Sequence, residues 1–274
     1  MGLKSAFGVL LAATVTFAAS AVAQESDLRS LDTSDAGRGW EAVGRISIGS
    51  DSFCTGALIA PDLVLTAAHC LFDKDTNDRV DPAQMEFLAG WRNGRAQSYR
   101  AVRRTVVPEA FNPLADVTSD YSRDDIGLLE LDRPIRDTRV VPFPTAGRPD
   151  IGARVSLVSY AKDRAASPAL QEACEVLAKR RGSLVFDCDI SFGSSGAPVF
   201  IMKDGRPQIV SVVSAMAEFR GQDVAVGSGL DAQLAELRAK LDAGQGGFAP
   251  ATGPARRVLL SGERGDTGAK FLRP

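Results

Sequence analysis

From Trp40 onward the chain alternates short apolar runs with turn residues. AVGRISIG, FCTGALIA, LVLTAA, MEFLAG, YRAVRRTVV and IGLLEL come first; RVSLVSY, SLVFDCD, APVFIM, QIVSVVSAM and DVAVGSG follow after Pro142. Many short β-rich runs bounded by Gly, Pro and Asp predict an all-β sandwich or barrel. The stretch PFPTAGRPDIG, Pro142 to Gly152, reads as a linker between two sets of strands. One helix stands out near the end. Leu230, Leu234, Leu237 and Leu241 recur at helical spacing, and their apolar stripe is expected to pack on a barrel. The segment SPALQEACEVLAK fits a helix or a strand equally well. There is no internal repeat.

The two ends differ from this pattern. Lys4, the apolar run from Phe7 to Ala19 and the small-x-small site Ala21-Val22-Ala23 have the layout of an export signal over residues 1–23. The apolar run is too short to span a bilayer comfortably. Cleavage would leave Gln24 first and a mature chain of 251 residues, from 274 less the 23 removed. Residues 24–39 lack an apolar period and read as a flexible leader or propeptide. Residues 244–274 are Gly/Pro-rich and then polar, and read as a flexible tail. The pair Arg256 and Arg257 in that tail reads as solvated charge, with a processing site as the alternative.

Charge and cysteine content narrow the class. The formal net charge of −2 becomes −3 when Lys4 leaves, and no strongly basic patch points to nucleic acid. The four cysteines fall as two close pairs, Cys54/Cys70 and Cys174/Cys188. An even count in an exported chain reads as disulfides, each closing a short loop and contributing ~2–4 kcal/mol. A zinc site is the weaker alternative, because no second histidine is present.

That single histidine, His69, lies in TAAHC, Thr66 to Cys70. Histidine is the side chain whose ordinary pKa lies near neutrality. A Ser-His-Asp hydrolase needs such a base, a carboxylate on its other ring nitrogen, and a serine beside backbone N–H donors. Asp125 opens DIGLLEL, and Ser195 sits in GSSGAP, Gly193 to Pro198. Small residues there let the backbone turn sharply, so that the N–H groups of Gly193 and Ser195 form an oxyanion hole, ~3–4 kcal/mol per donor. Asp124 is the competing carboxylate and reads as a solvated loop charge. Ser194 is the competing nucleophile, disfavoured by the Gly-x-Ser-x-Ala-Pro frame.

TAAHC, then DIGLL, then GSSGAP resembles the chymotrypsin-like serine peptidases, in their His-Asp-Ser order. LIAPDLVLTAAHC resembles the strand and turn that carry the family's histidine, and Cys54–Cys70 occupies its histidine-loop disulfide. The resemblance covers roughly residues 40–243. It implies an all-β fold of two antiparallel six-stranded β-barrels, at about 40–141 and 153–229, with a terminal helix at 230–243. Ser194 and Ala197 stand where the commonest family pattern has Asp and Gly, which is closer to the exported bacterial V8-like members. Cys174–Cys188 is expected as the second disulfide.

The resemblance further implies a secreted or periplasmic serine endopeptidase, monomeric and without a cofactor. Its substrate would be a protein or peptide, and it would bind neither nucleic acid nor, after signal removal, membrane. An acyl hydrolase acting on esters is a third reading, and a non-catalytic secreted binding protein on the same fold is the alternative. SVVSAM, with Ser214 and Met216, resembles the strand lining the substrate cleft. Asp189 lies six residues before Ser195, where the resembled trypsin subgroup has the carboxylate that binds Lys or Arg side chains, which implies a preference for basic P1 residues. The competing reading gives Asp189 only bonds within its own loop. The pocket histidine that reads Glu in V8-like members has no counterpart, because the one histidine is taken by catalysis. Asp73, Asp75, Asn77 and Asp78 resemble a calcium loop, but position 84 is Gln and the sixth position is Asp rather than Gly, so a solvated acidic loop is the reading.

Overall fold

The structure, a computed structural model, describes residues 28–249 except 51 and 117–118. The expected signal, the start of the expected leader, the expected tail beyond residue 249 and the Arg256–Arg257 pair lie outside the described residues.

Strand β1 (Leu28–Ser30) comes first. It is followed by β2 (Val43–Ile48), β3 (Ser52–Ala60), β4 (Leu63–Thr66), β5 (Met85–Ala89) and β6 (Ser98–Val106). Helix α1 (Ser119–Asp124) then leads into β7 (Gly127–Leu131). The second set is β8 (Arg154–Ser159), β9 (Ala169–Arg180), β10 (Ser183–Phe186), β11 (Pro198–Lys203), β12 (Arg206–Phe219) and β13 (Gln222–Gly229). Helix α2 (Asp231–Asp242) and strand β14 (Gly247–Phe248) end the described chain.

Strands β2 to β7 form one antiparallel sheet that closes through β6–β7, and β8 to β13 form another that closes through β8–β9. The result is two closed six-stranded barrels, which leaves no open edge within either ring. β1 adds to the second ring along β9, and β14 adds to the first along β6. One core cluster fills barrel one and runs into Tyr160, Leu170, Phe200 and Val212 of the second set; another fills barrel two around Leu184, Phe186 and Val199. The barrels therefore share a buried junction.

Several elements differ from the sequence reading. The expected flexible leader is ordered from Leu28 onward. Leu31 is fully buried, and its N–H bonds to the Pro168 carbonyl. Leu31, the smaller Ala36 and a strand's worth of backbone bonds dock a segment without apolar period. The expected flexible tail begins with ordered chain: Ala249 N–H bonds Arg103 O, and Phe248 lies under the Arg104 guanidinium. The ambiguous SPALQEACEVLAK segment forms β9. The stretch expected as a linker carries no strand but is stitched down: Phe143 is buried between Trp40 and Phe200, and its N–H bonds Leu58 O. Helix α2 packs on barrel one, burying Leu234 and Leu237, with Lys240 Nζ on the Val107 carbonyl. No helix among the described residues is long and apolar enough to cross a membrane.

Candidate active site

The antiparallel register brings His69 and Asp125 together. Thr66, the last residue of β4, pairs with Gly127, the first of β7. His69 lies three residues beyond Thr66, in a 3-10 turn over Ala68–Leu71, and Asp125 lies two before Gly127. Both therefore leave one end of the same strand pair. Gly127 makes room for the turn, since a Cβ there would press on Leu71 and Ala68.

Asp125 is fully buried and fully engaged. Its Oδ1 accepts the His69 backbone N–H at 2.8 Å, and its Oδ2 lies 2.7 Å from His69 Nδ1. Ser214 Oγ donates to the same Oδ2 at 2.6 Å. Ser214 sits where the β12–β13 register slips between Val213 and Ala215. Such a bulge re-aims one side chain out of the strand's alternation. Burial alone would lower the His69 pKa. The charge and the hydrogen bond of Asp125 together outweigh that and hold it above the ordinary value.

The GSSGAP loop docks against the same place. Gly196 has φ +74°, and a Cβ there would collide with Thr66 Oγ1 and the Thr55 carbonyl. This close approach draws the loop against the strand that leads to His69. Thr55 N–H bonds Ser195 O at 2.9 Å, and Thr55 Oγ1 donates to Gly193 O at 2.9 Å. Along the loop, backbone N–H groups alternate in use. Those of Ser194 and Gly196 donate to Ser191 O and Val213 O, while among the described residues those of Gly193 and Ser195 donate to no acceptor. The two serines also part ways. Ser194 is buried, with its hydroxyl against Ser159 Oγ and the Tyr160 carbonyl, and Ser195 is half-exposed. No hydrogen bond joins Ser195 Oγ to His69 in this conformation; in unliganded sites such bonds are often long and tighten only with substrate.

Other expected positions differ. Asp124 is not a solvated loop charge: its side chain is 9% exposed and pairs with Arg123. Gln233 of α2 also donates to it. Asp189 is exposed rather than buried at a pocket floor. Its backbone N–H bonds Gln171 Oε1, which fixes the segment on β9. Met216 is 49% exposed, and Phe192 stands out at 72%. Cys54–Cys70 and Cys174–Cys188 are disulfide-bonded. Cys54, His69 and Cys70 cluster closely, but both sulfurs are taken by the disulfide, so the group is no metal centre. In the acidic loop, Asp73 Oδ1 accepts the N–H groups of Asp75 and Thr76. A cleft of about 300 Å³ runs from that loop past His69 to Tyr121 and Ser214.

Some contributors carry no sequence signal. Thr55 lies within an ordinary β run, yet it grips Gly193 O and the Tyr160 N–H. Ser228 Oγ donates to the carbonyls of Ser122 and Asp125, tying β13 to the segment that carries the carboxylate. A small hydroxyl residue within a β run was the one available hint at each position.

Two closed antiparallel barrels joined at a buried seam define a chymotrypsin-like double-barrel protein. The trypsin-like peptidase domain family matches residues 54–208, and the chain belongs to that family. It is 27% identical over 184 residues to glutamyl endopeptidase of Bacillus licheniformis, covering 66% of this chain and 55% of that protein. It is 30% identical over 176 residues to serine protease 23 of Homo sapiens, covering 57% of this chain and 44% of that one. The chain thus spans about half the length of the relatives it matches. Among solved structures, a Glu endopeptidase in complex with MPD superposes with a TM-score of 0.65 at 18% identity, over 80% of this chain and 98% of that one. A scabies mite inactivated protease paralogue, S-D1, superposes at 0.63 and 12% identity, over 81% and 99%.

Proposed function

We propose that the protein is an exported serine endopeptidase, monomeric and cofactor-free. Ser195 attacks a peptide carbonyl while His69 Nε2 takes its proton. The N–H groups of Gly193 and Ser195 hold the oxyanion. His69 then protonates the leaving amine, and water releases the acyl-enzyme by the same route reversed. Asp125 fixes the imidazole tautomer and stabilises its charged form, and Ser214 orients Asp125. The single observation that carries this reading is the His69–Asp125–Ser214 chain beside a loop whose Gly193 and Ser195 amides are free. Two disulfides and a signal-like first 23 residues support export to an oxidising compartment.

At P1 the chain departs from both family patterns. Glu cleavage is what the Bacillus relative is named for, but here the only histidine is engaged by Asp125. A basic P1 side chain meeting the exposed Asp189 would form a solvated pair, worth about 0–1 kcal/mol. The non-catalytic alternative draws on the inactivated paralogue's shared fold, and on the absence of a Ser195–His69 bond in this conformation. Labelling with a fluorophosphonate probe decides between them. Wild type labels and Ser195→Ala does not if the serine is activated. An unlabelled, disulfide-bonded wild type would sink the enzyme reading, and labelled protein that turns over esters but no peptides would make it an esterase.

A further inference from the structure

Among the described residues, Arg45 is a cation without a counter-ion. It lies on β2 directly opposite Thr55 of β3, and paired residues share a face of the sheet. Thr55 on that face holds the Gly193 carbonyl. Phe53, two residues back on the same face, lies so close to Gly193 that a Cβ there would come within 2.6 Å of its ring. The Arg45 guanidinium lies 4.4 Å from the centroid of that Phe53 ring and 5.8 Å from that of Trp91. Stacking accounts for its faces and leaves its planar edge for hydrogen bonding. Nε is buried without a hydrogen bond, and among the described residues Arg45 forms no ion pair. The titratable groups around it offer no negative charge. Tyr160 is fully buried, and burial pushes its phenol far above the usual range, so it is neutral. Arg92, also near Tyr160, is a second buried guanidinium with no ion pair among the described residues.

The position relative to the chemistry is set by the disulfide. His69 Nε2, the atom that protonates the leaving amine, lies 3.8 Å from Cys70 Sγ. Cys70 is bonded to Cys54, and Phe53 is the next residue along the chain. Contacts thus run from Nε2 across the disulfide to the β3 backbone, and from that strand the Phe53 ring, with Arg45 stacked on it, meets the Gly193 turn. Ser214 lies on the other side of the imidazole, reached through Asp125 on Nδ1.

We infer that Arg45 is a specificity determinant that receives a carboxylate within two residues after the scissile bond. The inference rests on the peptidase reading above. The carboxylate is either an Asp or Glu side chain or a free chain terminus. The planar fork matches either one in two-point fashion, and a lysine would keep the charge without the fork or the stacking.

The test is a panel of quenched peptides carrying Asp or Glu, against Asn or Gln, at the first and second residues after the cleaved bond. A parallel set ends in a free carboxylate or an amide. The readout is the kcat/KM ratio of acid to amide within each protein. Wild type should favour the acid by about tenfold at low salt, the ratio expected of one charge-assisted bond at a partly exposed site. Salt should shrink the ratio. Arg45→Met should bring it to about one, and Arg45→Lys should leave an intermediate value. The two peptide sets separate side-chain from terminal carboxylate. A wild-type ratio near one, or an unchanged ratio in Arg45→Met, overturns the inference and leaves Arg45 as packing for Phe53 and Trp91. Failure of the peptidase reading shows separately, as no labelling and no turnover. In that event calorimetry of the acidic and amidated amine-side peptides on Ser195→Ala, with and without Arg45→Met, still reads the carboxylate preference: tighter binding of the acid that vanishes with Arg45 supports it, and equal binding ends it.

Discussion

Ser214 donates its hydroxyl to the Oδ2 of Asp125 across the seam between the two barrels. The same oxygen lies 2.7 Å from His69 Nδ1, so one atom accepts from both barrels at once. The His69 backbone N–H, the His69 ring and the Ser214 hydroxyl all meet this fully buried carboxylate, so its oxygens are satisfied by hydrogen bonds where no water reaches them. The bond also ties the orientation of His69 to the docking of barrel two.

The first consequence concerns Asp125 itself. Asp125→Asn puts an N–H or a weak carbonyl acceptor opposite Nδ1 and removes the charge. A drop in kcat of about 10⁴-fold is expected, the size of effect that follows loss of the correct tautomer. The pH profile should move as well. In wild type the His69 pKa lies above its ordinary value, so the neutral base forms, and kcat/KM rises, only as pH passes above about 6.5. With the charge gone, burial dominates and the acidic limb moves down. The folded-state elevation also means that the pair stabilises the fold fully below the unfolded histidine pKa, and that this contribution fades as pH rises through the folded one. Kinetics from pH 5 to 9 on both proteins checks the order of the limbs; an unmoved limb in Asp125→Asn would contradict the assignment.

Ser214→Ala should act in the opposite sense on the limb. Removing this donor leaves the Asp125 charge less compensated, so it holds the imidazolium more strongly. The acidic limb should move up while kcat/KM falls by about tenfold, the loss of one hydrogen bond to a charged group. A merely structural serine would lower stability without moving the limb.

The strand pattern, the terminal helix, the two cysteine pairs and the order of His69, Asp125 and Ser195 were legible because each rests on local signals. Period-two apolar runs, small-residue turns and fixed neighbours survive in one dimension. What was not legible depends on contacts across the fold. Asp124 reads as a loop charge until Arg123 and Gln233 close on it. Ser214 reads as a residue of the strand lining the substrate cleft, and only the bulge shows its hydroxyl turned toward Asp125. Asp189 keeps its spacing from Ser195, yet the Gln171 side chain and the Cys174–Cys188 bridge fix its segment along β9, with the carboxylate at the surface. Residues 28–39 look polar along the chain, and they are docked by Leu31, by the edge of β9 and by contacts such as Asn93 Nδ2 on the Asp32 carbonyl.

That exposure of Asp189 sets a bound on basic selectivity. Asp189→Asn should change the kcat/KM ratio of Lys or Arg to neutral P1 peptides by less than about fivefold, within the range of solvated ion pairs. A change of a hundredfold or more would place the carboxylate in a desolvated pocket with substrate bound.

Leu31 offers a test of the N-terminal strap. It is fully buried, with its N–H on Pro168 O, while β1 pairs Leu28 with Gln171. Leu31→Ala should cost about 2–5 kcal/mol of stability, the range for truncating a buried leucine. For a domain of this size that is several degrees or more in Tm. Because Gln171 also holds the Asp189 N–H, the variant should loosen that segment too, read as faster amide exchange at Asp189. A Tm within a degree of wild type would mean that the strap only rests on the barrel.

Ser194 bears on how the site is switched on. In chymotrypsin-like relatives that carry Asp before the nucleophile, a newly cut N-terminal amine pairs with that carboxylate and shapes the oxyanion loop. Here the Ser194 hydroxyl is buried and accepts from the Ser191 N–H, with Ser159 Oγ and Tyr160 O within 3.4 Å. Arg164 in turn donates to Ser159 Oγ at 3.1 Å. The loop is therefore held by neutral bonds already present in the folded chain, and no free amine has a charge to meet. A protein with a few extra residues before Gln24 should label with fluorophosphonate at the rate of one that starts at Gln24. Ser194→Ala should weaken the loop and lower kcat more than it raises KM, because the oxyanion donors act only once the carbonyl oxygen has gained charge. If instead the extended form is inert and trimming switches it on at least a hundredfold, the loop answers to the terminus after all. The neutral bonds around Ser194 would then belong to a resting state rather than to the working one.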